Sequence, residues 1–227
     1  MVKLIMKVSS FFFCLSCALL SCNGCGDDDC FYKYVIPVSI TPEDGILKVG
    51  DTITIVSKFP RMIRAHKWQS NDIISSVDVS NVKFCPFTSI NTMVGPSDYF
   101  LHKYFEFIED RKYNYNWVFS NGASSLFGEY LFDNDSFKLE IKLIAKAPGY
   151  FLLYQKSGLN AVNSECPNDL PDHCFESEIW PEVNGGTLNL ELFQELADPH
   201  WNTWAVEQEN KYHAFSKRGA YVCKVVE

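Results

Sequence analysis

The strongest constraint on the fold is the alternation of apolar and charged side chains from Ser136 to Leu143, in the stretch SFKLEIKL. Successive side chains of a β-strand point to opposite faces, so this pattern predicts a strand with one buried and one solvated face. An Ala-Pro-Gly turn follows at 147–149, and the apolar run at 150–155 predicts a second strand. We therefore expect a β-hairpin over these two segments.

Strand signals recur between turns elsewhere in the chain. Residues 34–40 and 52–57 are rich in β-branched side chains, and turn sequences lie at 41–45 and 49–51. Proline lacks an amide donor, so Pro37 restricts the first of these strands to a sheet edge or a bulge. Short strands separated by Pro/Gly turns predict a mainly β fold, an antiparallel immunoglobulin-like (Ig-like) sandwich. The Cys…Trp…Cys spacing of antibody domains is not evident, so the expected likeness is one of architecture.

The last third of the sequence differs from the rest. Residues 157–186 contain proline, glycine and cysteine in a pattern that predicts a long loop. Residues 187–196 carry leucine and phenylalanine at helical spacing, with Thr187 as a candidate N-cap and residues 198–200 as a stop. Residues 219–226 predict a closing strand. We expect these segments to form a C-terminal loop and short-helix appendage on the sandwich.

The start of the chain predicts an export signal. Lys3 and Lys7 form a positive head, and residues 11–20 are almost entirely apolar. That run is shorter than the about 20 residues that a helix needs to cross a bilayer core. A positive head before a short apolar run is typical of a secretory signal peptide.

The end of this signal, Leu19-Leu20-Ser21-Cys22, resembles the lipobox of bacterial lipoproteins. In that family the cysteine is acylated with diacylglycerol and palmitate, and the chain is cut before it, which implies lipidation of Cys22. The acidic triplet that follows, Asp27, Asp28 and Asp29, is similar to the surface-export signal of Bacteroidota lipoproteins. The resemblance implies a protein anchored in the cell outer membrane and exposed at the surface, or otherwise facing the periplasm.

Four parts of the chain follow from these signals: a cleaved signal peptide at 1–21, a lipidated cysteine and acidic tether at 22–30, a β-sandwich domain at 31–156, and a Cys-containing loop, short helix and closing strand at 157–227 packed on the sandwich.

Two alternatives for the tether stay open. The Cys-x2-Cys spacing of Cys22 and Cys25 is that of zinc ligands, although no second pair lies at the expected distance. The other alternative is a plain signal peptide followed by a disulfide-rich segment.

Cysteine usage predicts disulfide bonds. The chain has nine cysteines, of which two leave with the signal and one carries the lipid. An even number remaining in an exported chain predicts up to three disulfides. We expect Cys30 to pair with Cys85, and Cys223 to pair with Cys166 or Cys174, with buried free thiols as the alternative. The candidate disulfide cysteines are Cys25, Cys30, Cys85, Cys166, Cys174 and Cys223.

The net negative charge of the chain argues against two classes of binding partner, nucleic acid and anionic membrane surfaces. The chain carries 28 acidic and 20 basic residues, a net charge of −8. Binding of nucleic acid or of an anionic membrane surface depends on lysine and arginine, so we expect neither. The lipid anchor is the expected contact with the membrane. No second run of about 20 apolar residues follows the signal, so the body is expected to lie outside the bilayer.

Catalytic and metal motifs are not evident. The five histidines show no ligand spacing, and we expect neither a metal nor a cofactor. The most site-like cluster is Asp198-Pro199-His200 with Trp201 and Trp204, for which a helix stop and aromatic core packing are the simpler interpretation. A solvated turn is expected at 133–136, with calcium binding as the alternative. We therefore do not expect an enzyme, although a fold can gather carboxylates for glycan or envelope hydrolysis.

The aromatic stretch that includes Tyr113, Tyr115 and Trp117 has two interpretations. These rings, interleaved with asparagine, are candidate ligand-binding residues, because aromatic and amide groups together bind sugars and protein partners. Core filling is the alternative, because aromatic residues favour strands.

The body of the chain resembles uncharacterised Bacteroidota lipoproteins in the segments VGDTITI, FKLEIKLIAKAPGYFLLY, DPHWNTW and GAYVCKVV. The resemblance implies a sandwich with a C-terminal appendage and no known activity. We expect a lipid-anchored, non-enzymatic binding or interaction module for a glycan or a protein. The alternatives are a hydrolase and a structural accessory subunit of an outer-membrane complex. The ligand, the disulfide pairing and the oligomeric state stay open at this stage.

Overall fold

The computed structural model of the protein describes residues 32–67, 72–157 and 178–227. Within these ranges the chain forms two β-sheets and several short helices. The strands are β1 (Tyr32–Thr41), β2 (Ile46–Lys48), β3 (Thr52–Pro60), β4 (Met62–Lys67), β5 (Ile73–Asp78), β6 (Phe87–Thr92), β7 (Tyr99–Phe100), β8 (Phe105–Ile108), β9 (Asn114–Ser120), β10 (Ala123–Glu129), β11 (Leu131–Asp133), β12 (Ser136–Ala145), β13 (Gly149–Lys156), β14 (Glu178–Val183) and β15 (Ala220–Val226).

The helical segments are short and lie mainly in the last forty or so residues. They are α1 (Leu101–Tyr104), a 3₁₀ turn (Asn184–Gly186), a 3₁₀ helix (Leu190–Glu195), α2 (Pro199–Val206), α3 (Gln208–Asn210) and a π-helix (Lys211–Ser216). None of the helices in the described ranges has the length and apolar character needed to cross a membrane.

The two sheets have mixed but mainly antiparallel pairing. The first sheet runs in the order β11-β12-β3-β1-β4-β5, with β8 beside β12 and β14 beside β1. The second runs in the order β2-β15-β13-β6-β10-β7, with β9 beside β10. One apolar cluster draws on strands of both sheets, as expected for a sandwich. The prediction of a mainly β, Ig-like sandwich with a C-terminal appendage is confirmed.

The alternation that opened the sequence analysis sets the face of β12. Leu139, Ile141 and Leu143 are buried in the core between the sheets, and Lys142 on the other face is exposed. Burying one such side chain stabilises the fold by about 1.5–3 kcal/mol. A one-residue shift of register would expose all three, so the pattern fixes the position of β12 in the first sheet.

The predicted hairpin between β12 and β13 is wrong. β12 pairs with β3, β8 and β11 in the first sheet, whereas β13 pairs with β6 and β15 in the second. The reason lies in burial: Phe151, Leu152 and Leu153 are all buried, so β13 needs apolar cover on both faces. The turn at 147–149 therefore carries the chain from one sheet to the other.

Pro37 is accommodated at a break in pairing. Residues Tyr32–Tyr34 of β1 pair with β4, and residues Ser39–Thr41 pair with β3. Pro37 lies between these two stretches, and its carbonyl oxygen accepts a hydrogen bond of 2.6 Å from Ser57 Oγ. Proline has no amide N–H to donate, and Pro37 therefore lies where the backbone hydrogen bonds from β1 to β3 and β4 are interrupted.

The helical prediction for residues 187–196 is only partly correct. The segment from Leu190 forms a 3₁₀ helix, and the leucine–phenylalanine stripe is buried as expected. Asn189 precedes it in a left-handed conformation (φ 49°), and its Nδ2 donates to Val222 O at 3.2 Å. Asn189 and not Thr187 is the N-cap residue, and its side chain bonds to β15 and does not cap the 3₁₀ helix.

The stop predicted at 198–200 is confirmed, because the 3₁₀ helix ends at Glu195, and the same residues begin the next helix. Asp198 Oδ1 accepts the backbone N–H of His200 at 2.9 Å, and Pro199 is the first residue of α2. An aspartate N-cap followed by proline is a favourable helix start, since proline has no N–H to leave unpaired.

The C-terminal helices form a third layer on the outer face of the second sheet. A second apolar cluster joins Leu152 and Val222 of the strands to Phe193 and Phe215 of the helical segments. A polar contact supports this packing: Glu195 Oε2 accepts from Lys224 Nζ at 2.5 Å and from Tyr150 Oη at 2.8 Å. These two hydrogen bonds hold the pKa of Glu195 below its usual value.

Cys223 corrects part of the disulfide prediction. It is a free, buried thiol on the inner face of β15, where burial raises its pKa to about 12. The expected bond to Cys166 or Cys174 is therefore wrong, because the side chain is enclosed in the core between the sheets. Cys85 is buried and is not a free thiol. Because Cys30 lies outside the described residues, its pairing with Cys85 stays a prediction.

We predict that Cys223 resists alkylation in the folded protein and reacts once the chain unfolds. The thiolate is the form that attacks iodoacetamide and displaces iodide, and burial disfavours that form. The protein is treated with iodoacetamide without reductant, first in buffer and then in guanidinium, and the Cys223 peptide is read by mass spectrometry. Failure to react in guanidinium without reductant would mean that Cys223 is disulfide-bonded after all.

A second prediction concerns Gly45, which has φ +71° and lies against β15. A Cβ at this position would lie 2.4 Å from Val222 O, whereas a Cβ at Gly50 (φ +93°) would meet nothing within 4 Å. Gly50→Ala is the matched control, and backbone strain should lower the free energy of unfolding by about 1–3 kcal/mol. Gly45→Ala should lower it by roughly 1–3 kcal/mol more, because it adds the steric clash. Equal losses in urea unfolding would contradict this account of Gly45.

Candidate ligand-binding cleft

A cleft of 470 Å³ lies between the outer face of the second sheet and the C-terminal helices. Asn91 of β6 and Tyr154 of β13 come from the sheet, and Trp201 and Trp204 come from α2. The other polar side chains that line it are Ser97, Asp198, His200, Asn210, His213 and Arg218. The cluster singled out around Asp198 in the sequence thus forms part of this cleft.

The indole rings of Trp201 and Trp204 form an aromatic wall. They lie three residues apart on α2, and their ring centroids are 5.6 Å apart at an interplanar angle of 75°. Phe193 of the underlying 3₁₀ helix contacts both, with centroids at 6.1 and 5.8 Å. Both tryptophans are half-buried and pack against the second apolar cluster, as the core-packing interpretation expected. Their rings are therefore held in place while part of each lines the cleft.

Asn91 places a buried acceptor at the cleft. It pairs in register with Leu152, so its side chain lies on the outer face of the second sheet, toward the helices. Its Oδ1 is buried and finds no hydrogen-bond partner among the described residues. Leaving such a group unpaired costs about 1–3 kcal/mol, and an unpaired buried polar atom calls for an explanation. A ligand hydroxyl or amine donating to Oδ1 would remove that cost.

Tyr154 lies on the same outer face of the sheet as Leu152. Burial raises the pKa of its phenol to about 12, while Arg218 acts in the opposite direction. The hydroxyl is therefore neutral at physiological pH, able to donate and to accept. The guanidinium carbon of Arg218 lies 5.9 Å from the centroid of the Tyr154 ring, within the range of a cation–π contact.

The remaining polar groups of the cleft are largely positioned by contacts of their own. Asn210 Nδ2 donates to Trp204 O at 3.2 Å and to Glu207 Oε2 at 2.7 Å. His213 Nε2 lies 4.0 Å from Glu209 Oε1. Arg218 forms no ion pair with any described residue.

The acidic lining of the cleft is limited to one described residue. Asp198 is the one carboxylate among its described lining residues, and it caps α2. Glycoside hydrolysis by the usual route needs two carboxyl groups about 5–10 Å apart. Among the described residues no group of three or more His, Cys, Asp and Glu side chains is arranged to hold a metal ion. An aromatic wall with a few polar groups is typical of a small-molecule binding site.

A second cavity, of 310 Å³, lies beside β14 and has a mainly apolar lining. Lys33 Nζ lies 4.8 Å from the centroid of the Trp180 ring, and Trp180 Nε1 donates to Glu178 Oε2 at 3.0 Å. Burial lowers the pKa of Lys33. Of the charged groups that line this cavity, Lys33 is engaged by the ring of Trp180.

The aromatic residues predicted as ligand contacts lie elsewhere, at β9. Trp117 pairs in register with Leu126, and Tyr115 and Trp117 both pack against the core between the sheets. The ring of Tyr115 covers Gly128, where a Cβ would lie 2.2 Å from it. Tyr113 is half-buried beside Tyr115, with ring centroids 6.5 Å apart. The structure thus places these rings in packing roles and not at the cleft.

The predicted turn at 133–136 connects β11 and β12. Asn134 and Asp135 both have positive φ, 48° and 57°, as in a two-residue hairpin turn of type I′. Asp133 binds Lys138 Nζ at 2.6 Å, and Asp135 binds Arg61 at 3.2 Å. The carboxylates of this turn are therefore engaged by neighbouring cations.

Several predicted site residues lie outside the described residues and stay predictions. They are the lipidated Cys22, the export signal Asp27, Asp28 and Asp29, and the cysteines Cys25, Cys30, Cys166 and Cys174.

Sequence reasoning missed Asn91, Tyr154 and Arg218. Asn91 gives no clear local signal, because its neighbours on the same face of the strand are one polar and one apolar residue, Ser89 and Met93. Its place at a cleft becomes visible only when the outer face of the second sheet is known to be covered. Arg218 follows the π-helix and carries no local signal of its role.

Comparison with known proteins identifies no family for the chain. No family model matches the chain, and no curated protein matches it. Among solved structures, the type II cohesin domain from the cellulosome of Acetivibrio cellulolyticus is similar at 7% identity, over 60% of this chain and 81% of that chain. The TM-score of 0.27 is that of a loose superposition, which does not bear on what this protein binds.

Proposed function

We propose that the protein is a lipid-anchored component of the bacterial cell envelope that binds a small polar ligand in the cleft and releases it unchanged. The observation that carries the binding role is the buried Oδ1 of Asn91, unpaired among the described residues, in a cleft walled by Trp201 and Trp204. These features match a pre-formed small-molecule site, in which aromatic surface gives affinity and a few polar groups fix orientation.

The anchoring part of the proposal is supported by the start of the chain. Cys22 follows a positive head and a short apolar run in the order of a lipoprotein signal. One acyl chain gives only marginal membrane binding, whereas two or more hold a protein stably. Asp27, Asp28 and Asp29 support an outer-membrane location with the domain facing the cell surface. The short tether before β1 would let the sandwich stand away from the bilayer.

A binding role without catalysis is supported by the carboxylates of the two described cavities. Each cavity is lined by one acidic side chain, Asp198 in the larger and Glu182 in the smaller. A hydrolase of the usual glycosidase type would need a second carboxylate in the same cleft.

The anchor is tested by Cys22→Ala, with Cys25→Ala as the matched control. We expect the Cys22 variant to remain unprocessed and to leave the detergent phase in Triton X-114 partitioning, because the acceptor thiol for the lipid is lost. The Cys25 variant should be cut and should enter the detergent phase, as the wild-type protein does. A Cys22 variant that is still cut and still enters the detergent phase would refute the anchor.

The binding site is tested by Asn91→Leu in the full chain purified in detergent. Thermal unfolding is followed with a panel of monosaccharides, amino acids and nucleosides, because a ligand at about 100 times its Kd adds about 2.7 kcal/mol of stability. We expect Asn91→Leu to abolish the shift given by the bound compound without lowering the Tm of the free protein, since the lost oxygen has no partner. The exposed Asn116→Leu is the control and should keep the shift.

Two outcomes would contradict this assignment. A shift that survives Asn91→Leu would place the ligand outside the cleft. Conversion of the compound to a product, detected by mass spectrometry after incubation, would replace binding with catalysis.

A further inference from the structure

We propose that the ligand of this cleft is an acidic saccharide, a sugar that bears a carboxylate or a sulfate, with its ring against the aromatic wall and its anion beside Arg218. This inference rests on the proposed function, because it names the ligand class of the same cleft.

The aromatic side chains fit one face of a sugar ring. A pyranose presents C–H groups on its faces and hydroxyl groups at its edge, so it needs a flat apolar surface beside hydrogen-bonding groups. The indoles of Trp201 and Trp204 lie at 75° to each other, so the face of one half-buried indole, with the phenol of Tyr154 also lining the cleft, supplies that surface. Trp201 and Trp204 are held by Phe193, so the surface is formed before the ligand arrives.

The polar groups fit the edge of the sugar. Asn91 Oδ1 is an acceptor without a partner among the described residues, and a sugar hydroxyl is a donor of matching size. Each of three further groups can donate one hydrogen bond and accept another: the neutral hydroxyl of Tyr154 and the rings of His200 and His213. A hydroxyl-rich ligand therefore meets donors and acceptors around the aromatic wall.

A negative charge on the ligand is inferred from two cationic side chains, Arg218 and Lys156, that form no ion pair with a carboxylate of the described residues. Arg218 lines the cleft and is unpaired within the described ranges, and Lys156 lies two residues beyond Tyr154 on the same face of β13. Burial lowers the pKa of Lys156, and the nearby positive charge of Arg218 lowers it further. No carboxylate contributes to the shift at Lys156 or at Tyr154.

The carboxylate that lines the cleft, Asp198, and the neighbouring carboxylate of Glu209 have partners of their own. Asp198 accepts the backbone N–H of His200 as the cap of α2, and Glu209 faces His213. The two adjacent cations would otherwise repel each other, in a chain whose acidic residues outnumber its basic ones by 28 to 20. An anionic group on the ligand would relieve that repulsion and form charge-assisted hydrogen bonds with the guanidinium.

The experiment uses a glycan array and the full chain in detergent. The array presents neutral, uronic-acid, sialylated and sulfated glycans, and the best ligand of each class is then titrated at physiological salt. We expect binding to acidic glycans, with matched neutral glycans at least about tenfold weaker, because a hydrogen bond to a charged group contributes more than a neutral one. The uronic-acid and sulfated arms distinguish the two sources of negative charge.

Two variants separate a specific contact from general attraction. Arg218→Gln should weaken binding of the acidic glycan about tenfold or more and bring it close to that of its neutral analogue. Arg64→Gln removes the same charge from an exposed position in the first sheet and should leave binding unchanged.

Three results would overturn the inference. They are equal binding of neutral and acidic glycans, no binding to any glycan, and an equal loss in the Arg64 and Arg218 variants. None of these would by itself refute the proposed function, because a non-saccharide ligand that depends on Asn91 would still identify the cleft as a binding site.

Discussion

β13 and β15 bury apolar side chains on both faces of the second sheet. Phe151 and Leu153 face the first sheet, and Leu152 and Val222 face the C-terminal helices. A two-layer sandwich would leave the second set exposed to water. The helical layer is therefore a structural requirement of the sheet, and the cleft arises where that layer does not fully cover β6 and β13.

The cleft is built from groups that the fold already fixes. Trp201 and Trp204 pack on Phe193, and Asn91 is held by the register of β6 against β13. A site made in this way loses little conformational entropy when it binds, because its side chains are ordered beforehand. The buried acceptor of Asn91 carries an energetic cost in the free protein, which a donor on a ligand would remove.

Local patterns in the sequence predicted those structural features that depend on residues close together in the chain. The alternation in β12, the strand at β15 and the buried stripe of the 3₁₀ helix were all visible, because each reflects one buried face. The supposed hairpin was wrong because sheet membership depends on burial of both faces of β13, which only the assembled layers decide. Cys223 was misjudged for the same reason, since a cysteine in a strand gives no sign of which face it occupies.

The candidate site was half visible in the sequence. The cluster Asp198-Pro199-His200 with its tryptophans stood out by composition, and the expected helix stop is there, but the new helix that Asp198 begins was not predicted. Asn91, Tyr154 and Arg218 come from three separate parts of the chain and meet only because the helices fold back on the sheet. No local spacing relates them, so their convergence could not be predicted from the sequence.

The pairing of β1 with β14 has a consequence for biogenesis. β1 begins the described part of the chain, yet Lys33–Val38 lies parallel to Glu178–Val183, and Ile40 exchanges hydrogen bonds with Asn184 across 144 residues. Such non-local contacts form late, because a long loop must close before they bring any gain. Synthesis must therefore reach Val183 before the first sheet can be completed. During most of its translation the nascent chain would thus lack the partner strand of β1.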